Sequence, residues 1–297
     1  MPDSVVSSSA VSGGIALCGA SVTELVREIR DHHDLSPLAT AAVGRLVAAA
    51  VLFAAGLKAR ERVSIQIAAE GPIGALFADA WLLDDATIGA RGYARNPHVE
   101  LPLSATGKFD VGGALGAGQL QVTKTYAIGQ PYRGIVPLVT GEIAEDIAAY
   151  LARSEQIPSA VALGVLANPS GVIAAGGTLA QVLPGADDRA IEELDRRARA
   201  MPPVTDVLRD GADADVLVGA LAGDLKLREH RRLSVRFACL CSRERVEAAL
   251  VGLGADDLRH MAAERDTTHA SCEFCKRDYA FTSAELLALS QSLSSRV

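Results

Sequence analysis

Aromatic residues are scarce in this chain: Phe, Trp and Tyr together make up 4% of its 297 residues, with a single Trp. The hydrophobic share is still 49%, so the core that it fills has to be aliphatic and rich in alanine. Net positive charge is also missing. The 29 Lys and Arg are outnumbered by 36 Asp and Glu, for a net charge of −7. That balance argues against a general nucleic-acid binder, because phosphate contacts need a basic face, and it reads as a device for solubility. The first fourteen residues are small and serine-rich and lack a basic n-region, so a loose terminus is expected there rather than a targeting segment. Several motifs of chemistry are absent as well. There is no G-x-x-x-x-G-K-[ST], no clean strand followed by G-x-G-x-x-G, no nucleophile elbow and no metal-binding helix. Gly112, Gly113, Gly116, Gly118, Gly176 and Gly177 therefore read as turns, and His32, His33 and His98 as surface residues.

Cysteine is scarce too, but its distribution is informative. Of five cysteines only Cys18 lies in the first 236 residues, and it reads as a small buried side chain. The other four form a C-x-C, Cys239 and Cys241, and a C-x-x-C, Cys272 and Cys275, with thirty residues between the pairs. Four thiolates satisfy a closed tetrahedral structural zinc site, since Zn²⁺ has no geometric preference of its own and favours soft sulfur. Each short pair offers two sulfurs with little loop to order, and the intervening segment is long enough to fold and return. A disulfide scaffold fits less well, because such scaffolds belong to short secreted chains.

At this length about two domains are expected. Residues 38–57 are almost all apolar and match a membrane span in length. They contain Arg45, follow a Ser36-Pro37 helix start and are rich in alanine, so a buried helix of a globular domain is the reading. A short helix precedes it, opened by a capping-box pattern at Ser21 and Glu24. From Arg62 the period changes to two, with Val63, Ile65 and Ile67 on one side, which indicates a strand. Further strands are expected at 74–80, 87–94, 119–126, 132–138, 160–166, 172–174 and 178–183, with an amphipathic helix at 142–153. Runs of strands with occasional helices make an α+β fold, an antiparallel β-rich core with covering helices.

Residues 186–236 differ from the rest. They hold eleven acids and ten bases, twenty-one charges in fifty-one residues, and no aromatic residue. Such a segment forms helices but buries little, so its helices need a surface to lie on. The chain thus divides into a core domain at 1–185, a charged helical linker at 186–236 and a zinc-binding lobe at 237–297. In the lobe, Ser242 caps one helix, residues 256–264 form a second, residues 279–281 a strand, and Thr282 with Glu285 a capping box for the last. The lobe is too small for a good core, so metal would supply much of its folding free energy.

Cys239-Leu-Cys241-Ser-Arg-Glu-Arg245 followed by Cys272-Glu-Phe-Cys275 resembles the zinc lobe of the heat-shock protein 33 family, bacterial redox-regulated holdase chaperones. Arg153-Ser-Glu-Gln-Ile-Pro158 and Ala174-Ala-Gly-Gly-Thr-Leu-Ala-Gln-Val-Leu-Pro184 are similar to two signatures of that family's core domain. The resemblance spans essentially the full chain and implies a function. In reducing cytosol, Cys239, Cys241, Cys272 and Cys275 would hold one Zn²⁺ and keep the chaperone inactive. Oxidation would form disulfides, release zinc, unfold lobe and linker, and expose surfaces that bind unfolding proteins without ATP, as a homodimer. Neighbour pairing, Cys239–Cys241 and Cys272–Cys275, is expected because each partner is already adjacent, with long-range pairing as the alternative. Neither catalysis nor a nucleic-acid or membrane partner is expected. Two other readings compete: a thiol–disulfide oxidoreductase using Cys272 and Cys275, and a zinc-ribbon nucleic-acid binder using the basic patch of residues 226–232 and 243–245.

Overall fold

An alanine-rich run with no helix breaker in its interior, opened by Ser36 and Pro37, builds the central helix. In the computed structural model, which describes residues 2–11, 14–104 and 107–294 apart from the side chains of 190, 229, 230 and 294, Pro37–Ala54 is helical and 15 of its 18 residues are buried. The Ser36 hydroxyl accepts the Ala39 N–H at 3.2 Å, and Pro37 occupies the first turn, where its missing N–H costs nothing. Among the described residues this is the one helix long and apolar enough to cross a membrane, and it is spent on the core. Arg45, a mostly buried side chain, is paired there with Glu142 Oε2 at 2.6 Å.

Contacts divide the chain into two units, Met1–Ala238 and Cys239–Val297. The first contains β1 (Ser4–Ala10), β2 (Ile15–Ser21), α1 (Thr23–His33), α2 (Pro37–Ala54), β3 (Arg62–Ala69), β4 (Ala75–Asp84), β5 (Thr87–Ala94), α3 (Val111–Leu115), β6 (Gly118–Thr125) and β7 (Tyr132–Pro137). After these come α4 (Ala144–Tyr150) with a π-turn at Leu151–Glu155, then β8 (Ser159–Asn168), β9 (Gly171–Val182), α5 (Asp188–Ala200), α6 (Val204–Arg209), α7 (Ala214–Ala222) and β10 (Leu227–Phe237). The strands form one sheet in the order β7-β6-β3-β4-β5-β10-β1-β2-β9-β8. Neighbours are antiparallel except β10 and β5, which run parallel. One face of the sheet packs on α2. On β1, β2 and β9 the other face carries α5, α6 and α7, so that Val5 joins the α2 core while Val6, next in sequence, packs with Leu194, Val218 and Leu221. This is the period-two alternation of a strand buried on both sides.

Several expectations are corrected. The serine-rich start is not loose: Ser4–Ala10 pairs with β10 on one edge and β2 on the other, its small hydroxyls fitting a crowded sheet (Met1, Ser12 and Gly13 lie outside the described residues). Ser21 ends a strand and does not cap α1. The Asp3 carboxylate does, accepting the Leu25 N–H at 2.7 Å and the Glu24 N–H at 3.2 Å. Gly176 and Gly177 are not turns but lie inside β9, one strand where two were expected. A Cβ on Gly176 would stand 2.3 Å from the Ala20 carbonyl oxygen, and one on Gly177 2.6 Å from Leu163 Cδ2. His33 is buried and stacks on Tyr93 at 6.1 Å, whereas His98 is exposed. The amphipathic helix after Glu142 stops at Tyr150 and finishes in the π-turn. The charged segment is helical only through α7, because its last ten residues enter the sheet in β10.

The second unit holds α8 (Arg243–Val251), α9 (Ala255–Glu264), β11 (Thr267–Ser271), β12 (Asp278–Thr282) and α10 (Ser283–Ser294). β11 and β12 make a two-stranded antiparallel sheet. Four buried side chains, Leu250, Leu258, Phe281 and Leu286, form its core. The fold class is α+β, a large mainly antiparallel sheet with covering helices and a C-terminal cysteine cluster.

Candidate metal centre

Local chemistry places each cysteine. Cys239 and Cys241 lie in the extended stretch just before α8, whose start is capped by Ser242 Oγ accepting the Arg245 N–H at 3.3 Å. Cys272 and Cys275 sit in the turn joining β11 to β12. There the Lys276 N–H donates to the Cys272 carbonyl at 2.8 Å, and the Cys272 N–H to the Arg277 carbonyl at 2.9 Å. Lys276 adopts φ 54°, a left-handed turn that closes the knuckle. Arg243 then ties the pieces together. Its guanidinium lies 4.3 Å over the Phe281 ring, meets Glu285 at 2.6 Å and donates to the Ala280 carbonyl at 2.8 Å.

These elements bring the four predicted sulfurs within 4.8 Å of one another. The Cys239 and Cys272 sulfurs are 3.7 Å apart, and those of Cys241 and Cys275 3.4 Å. Four sulfurs at about 2.3 Å from a tetrahedral metal stand about 3.8 Å from each other, so the donor set fits such an ion in number, type and spacing. The electrostatics agree. Burial pushes the Cys275 thiol up to about 12, with the neighbouring sulfurs acting in the same direction. Burial also raises Cys272, although backbone N–H groups of Cys275 and Phe274 oppose it. Thiols so crowded resist ionisation, and a cation among them reverses that preference by pairing with all four thiolates at once.

Cys18 lies in β2 of the first unit, where burial raises its thiol to about 12. The residue that sequence reasoning missed is Tyr279, whose hydroxyl donates to the Cys241 sulfur at 3.2 Å. Its signal in the sequence was slight: an aromatic hydroxyl four positions after the last cysteine, in a strand predicted from the apolar pattern alone.

The fold and the site define an α+β protein that carries a separate four-thiol lobe at its C-terminal end. The model of the family described as Hsp33 protein matches residues 3–282. The 33 kDa chaperonin of Nostoc sp. (strain PCC 7120) is 43% identical over 293 residues, covering 97% of this chain and 96% of that protein. The 33 kDa chaperonin of Desulforamulus reducens is 38% identical, covering 96% of each. A crystal structure of the 33 kDa chaperonin (heat shock protein 33 homolog) from Thermotoga maritima superposes with a TM-score of 0.90 at 33% identity, covering 99% of this chain and all of that one. The chain belongs to the Hsp33 family of chaperones.

Proposed function

We propose that this protein is a redox-switched, ATP-independent holdase, inactive while Cys239, Cys241, Cys272 and Cys275 hold one Zn²⁺. The observation that carries the reading is the clustering of four thiols in a lobe with four buried apolar side chains. When bound, the ion supplies the charge that lets four thiolates share one site, and with it much of the lobe's folding free energy, on the order of 10 kcal/mol for structural zinc. The same thiolates are the species that an oxidant attacks, so staple and sensor are one group. Conversion to disulfides Cys239–Cys241 and Cys272–Cys275 removes all four donors. Neighbour pairing is favoured because those partners stay adjacent once the lobe loses its fold, and the three-residue ring at Cys239–Cys241 is strained and readily reduced again.

The functional division proposed is a core at 1–185, a metastable linker at 186–236 and the switch lobe at 237–297. What supports the middle part is its thin attachment. Helices α5 to α7 hold the sheet through a few aliphatic side chains, including Leu194, Val204, Leu208, Leu217, Val218 and Leu221. Beyond these, α5 is tied by the ion pair of Arg197 with the exposed Asp224 at 3.4 Å, which solvent screens, while pairs such as Glu193 with Arg196 and Asp195 with Arg199 lie within the helix itself. Their departure would bare Val6, Ala10, Ile15, Leu17, Ala174 and Ala180, an apolar strip suited to unfolding client proteins. A homodimer in the oxidised state and a reducing, cytoplasmic setting complete the proposal.

The alternatives lack support. A redox C-x-x-C opens a helix and has a lowered thiol pKa, whereas Cys272 and Cys275 sit between two strands and are raised. Basic residues of β10 are engaged within the protein: Arg232 with Asp213 at 3.0 Å, Arg228 with the Val11 carbonyl at 2.9 Å, Arg231 with the Ala55 carbonyl at 3.2 Å. The test is zinc content against free-thiol count before and after peroxide, with light scattering of a denatured client in parallel. One zinc leaves as four thiols disappear, and only the oxidised protein suppresses aggregation. Equal suppression in both states would reduce the protein to a constitutive chaperone.

A further inference from the structure

The four sulfurs are chemically alike but not equally dressed. Cys272 and Cys275 receive backbone N–H groups of their own knuckle, from Phe274, Cys275 and Arg277. Cys241 instead faces a side chain from another element: the Tyr279 hydroxyl of β12, 3.2 Å away. That phenol is well placed. Tyr279 stands opposite Ala270 in the two-stranded sheet, and its neighbour Asp278 is pinned by the Ser271 hydroxyl at 3.1 Å and by His269. The Arg277 guanidinium lies close to the phenol. A donor aimed at a thiolate draws electron density from it, and partners of this kind around metal ligands tune reactivity without touching the metal.

We propose that Tyr279 is a positioning residue of the redox switch: its O–H, donated to the Cys241 sulfur, restrains oxidation at that one ligand of the four. The inference rests on the redox-switch reading. In the restrained step the Cys241 thiolate attacks a peroxide oxygen, the O–O bond breaks, sulfenic acid forms and hydroxide leaves. A second thiolate then displaces hydroxide from that sulfenic acid to close the disulfide. Two electrons pass from sulfur to peroxide in all. A sulfur whose lone pair is committed to the phenol proton is the poorer nucleophile in the first step. The switch therefore has a threshold set by the protein, above the intrinsic reactivity of four thiolates on one ion.

Tyr279→Phe removes the oxygen and keeps the ring. In the zinc-loaded full chain under peroxide, zinc release followed with a chromogenic chelator should speed up about three- to tenfold, the rate equivalent of one ordinary hydrogen bond. Mass spectrometry of quenched early samples should show the added modification at Cys241, with the other three unchanged. Replacement of Tyr279 by 4-aminophenylalanine, which restores an N–H donor, should return the rate toward that of the unsubstituted protein. Unchanged rates in Tyr279→Phe would overturn the inference. So would a uniform acceleration at all four cysteines accompanied by weaker resting zinc binding in a chelator competition, which is the mark of a merely structural tyrosine. Failure of the redox-switch reading is seen separately, in the unsubstituted protein, as suppression of client aggregation that does not change on oxidation.

Discussion

The two units solve the same problem at opposite extremes. The first buries a helix of 18 residues almost whole against a ten-stranded sheet that is covered on both faces at β1, β2 and β9. The second has, among the described residues, four buried apolar side chains and a cluster of four thiols. A core of the first kind is stabilised by many small contributions, and no single group decides its fate. A lobe of the second kind, if its thiols hold a metal as proposed, would hang on that one group, so one chemical event could undo it. That difference is what the proposed switch requires, one part that endures while another responds.

The largest effect should come from the metal. Stripping zinc from the reduced protein with a strong chelator, or replacing Cys272 by Ser, is expected to cost the lobe on the order of 10 kcal/mol. Hydrogen exchange should show protection lost across 239–294 while β3, β4 and β6 keep theirs. A lobe that stays protected without metal would erase the contrast between the units. Next in size is Leu46→Ala in α2, at a fully buried site. A loss of about 2–5 kcal/mol is expected from the cavity, measured by urea unfolding of the first unit, with zinc content unchanged. Acceleration of zinc release by that variant would mean that the units are not independent.

A pH effect sharpens the picture of the first unit. Burial outweighs the two N–H bonds that Asp3 accepts and raises its carboxyl from 3.8 to about 6. The folded protein therefore holds this proton more tightly than the unfolded chain. Its contribution is fully present below about pH 4 and is lost as pH rises through 6. Asp3→Asn, which keeps an acceptor for the α1 N–H groups, should flatten the slope of stability between those values by up to about 3 kcal/mol. An identical slope in the variant would show that Asp3 is not the group responsible. Smallest is Thr282→Ala. It removes the oxygen that accepts the Glu285 N–H at 3.3 Å at the start of α10, and about 1 kcal/mol is expected, read as a lower melting temperature of the zinc-loaded lobe alone.

The position of β10 bears on how far loosening spreads. This strand carries the last ten residues of the charged segment, between β5 and β1. Backbone hydrogen bonds hold it on both edges, while α5 to α7 rest on side chains only. Hydrogen exchange after oxidation is therefore expected to show the helices deprotected before the strand.

Much of the lobe was legible in the sequence because its signals are short-range. The C-x-C and C-x-x-C spacing, the Ser242 cap and the reciprocal pair of Thr282 and Glu285, whose N–H and carboxylate meet at 2.8 Å, each lie within a few residues. The same holds for Ser36 and Pro37 at α2 and for the alternation of Val63, Ile65 and Ile67. The serine-rich start misled because hydroxyl residues read as terminus unless a partner strand is known. β10 misled because a charged run reads as solvated helix until its neighbours in the sheet are known.

By itself the sequence determined what depends on spacing along the chain: the pairing of the four clustered cysteines, most helices and strands, the α+β class and the family. Tertiary structure alone decided what depends on residues far apart meeting. Asp3 caps a helix twenty residues on, Gly176 clears a carbonyl of β2, β10 finds β1 from the other end of the unit, and Tyr279 meets Cys241. Such encounters are set by how the sheet closes and how the knuckle folds back, and no local pattern of side chains encodes them.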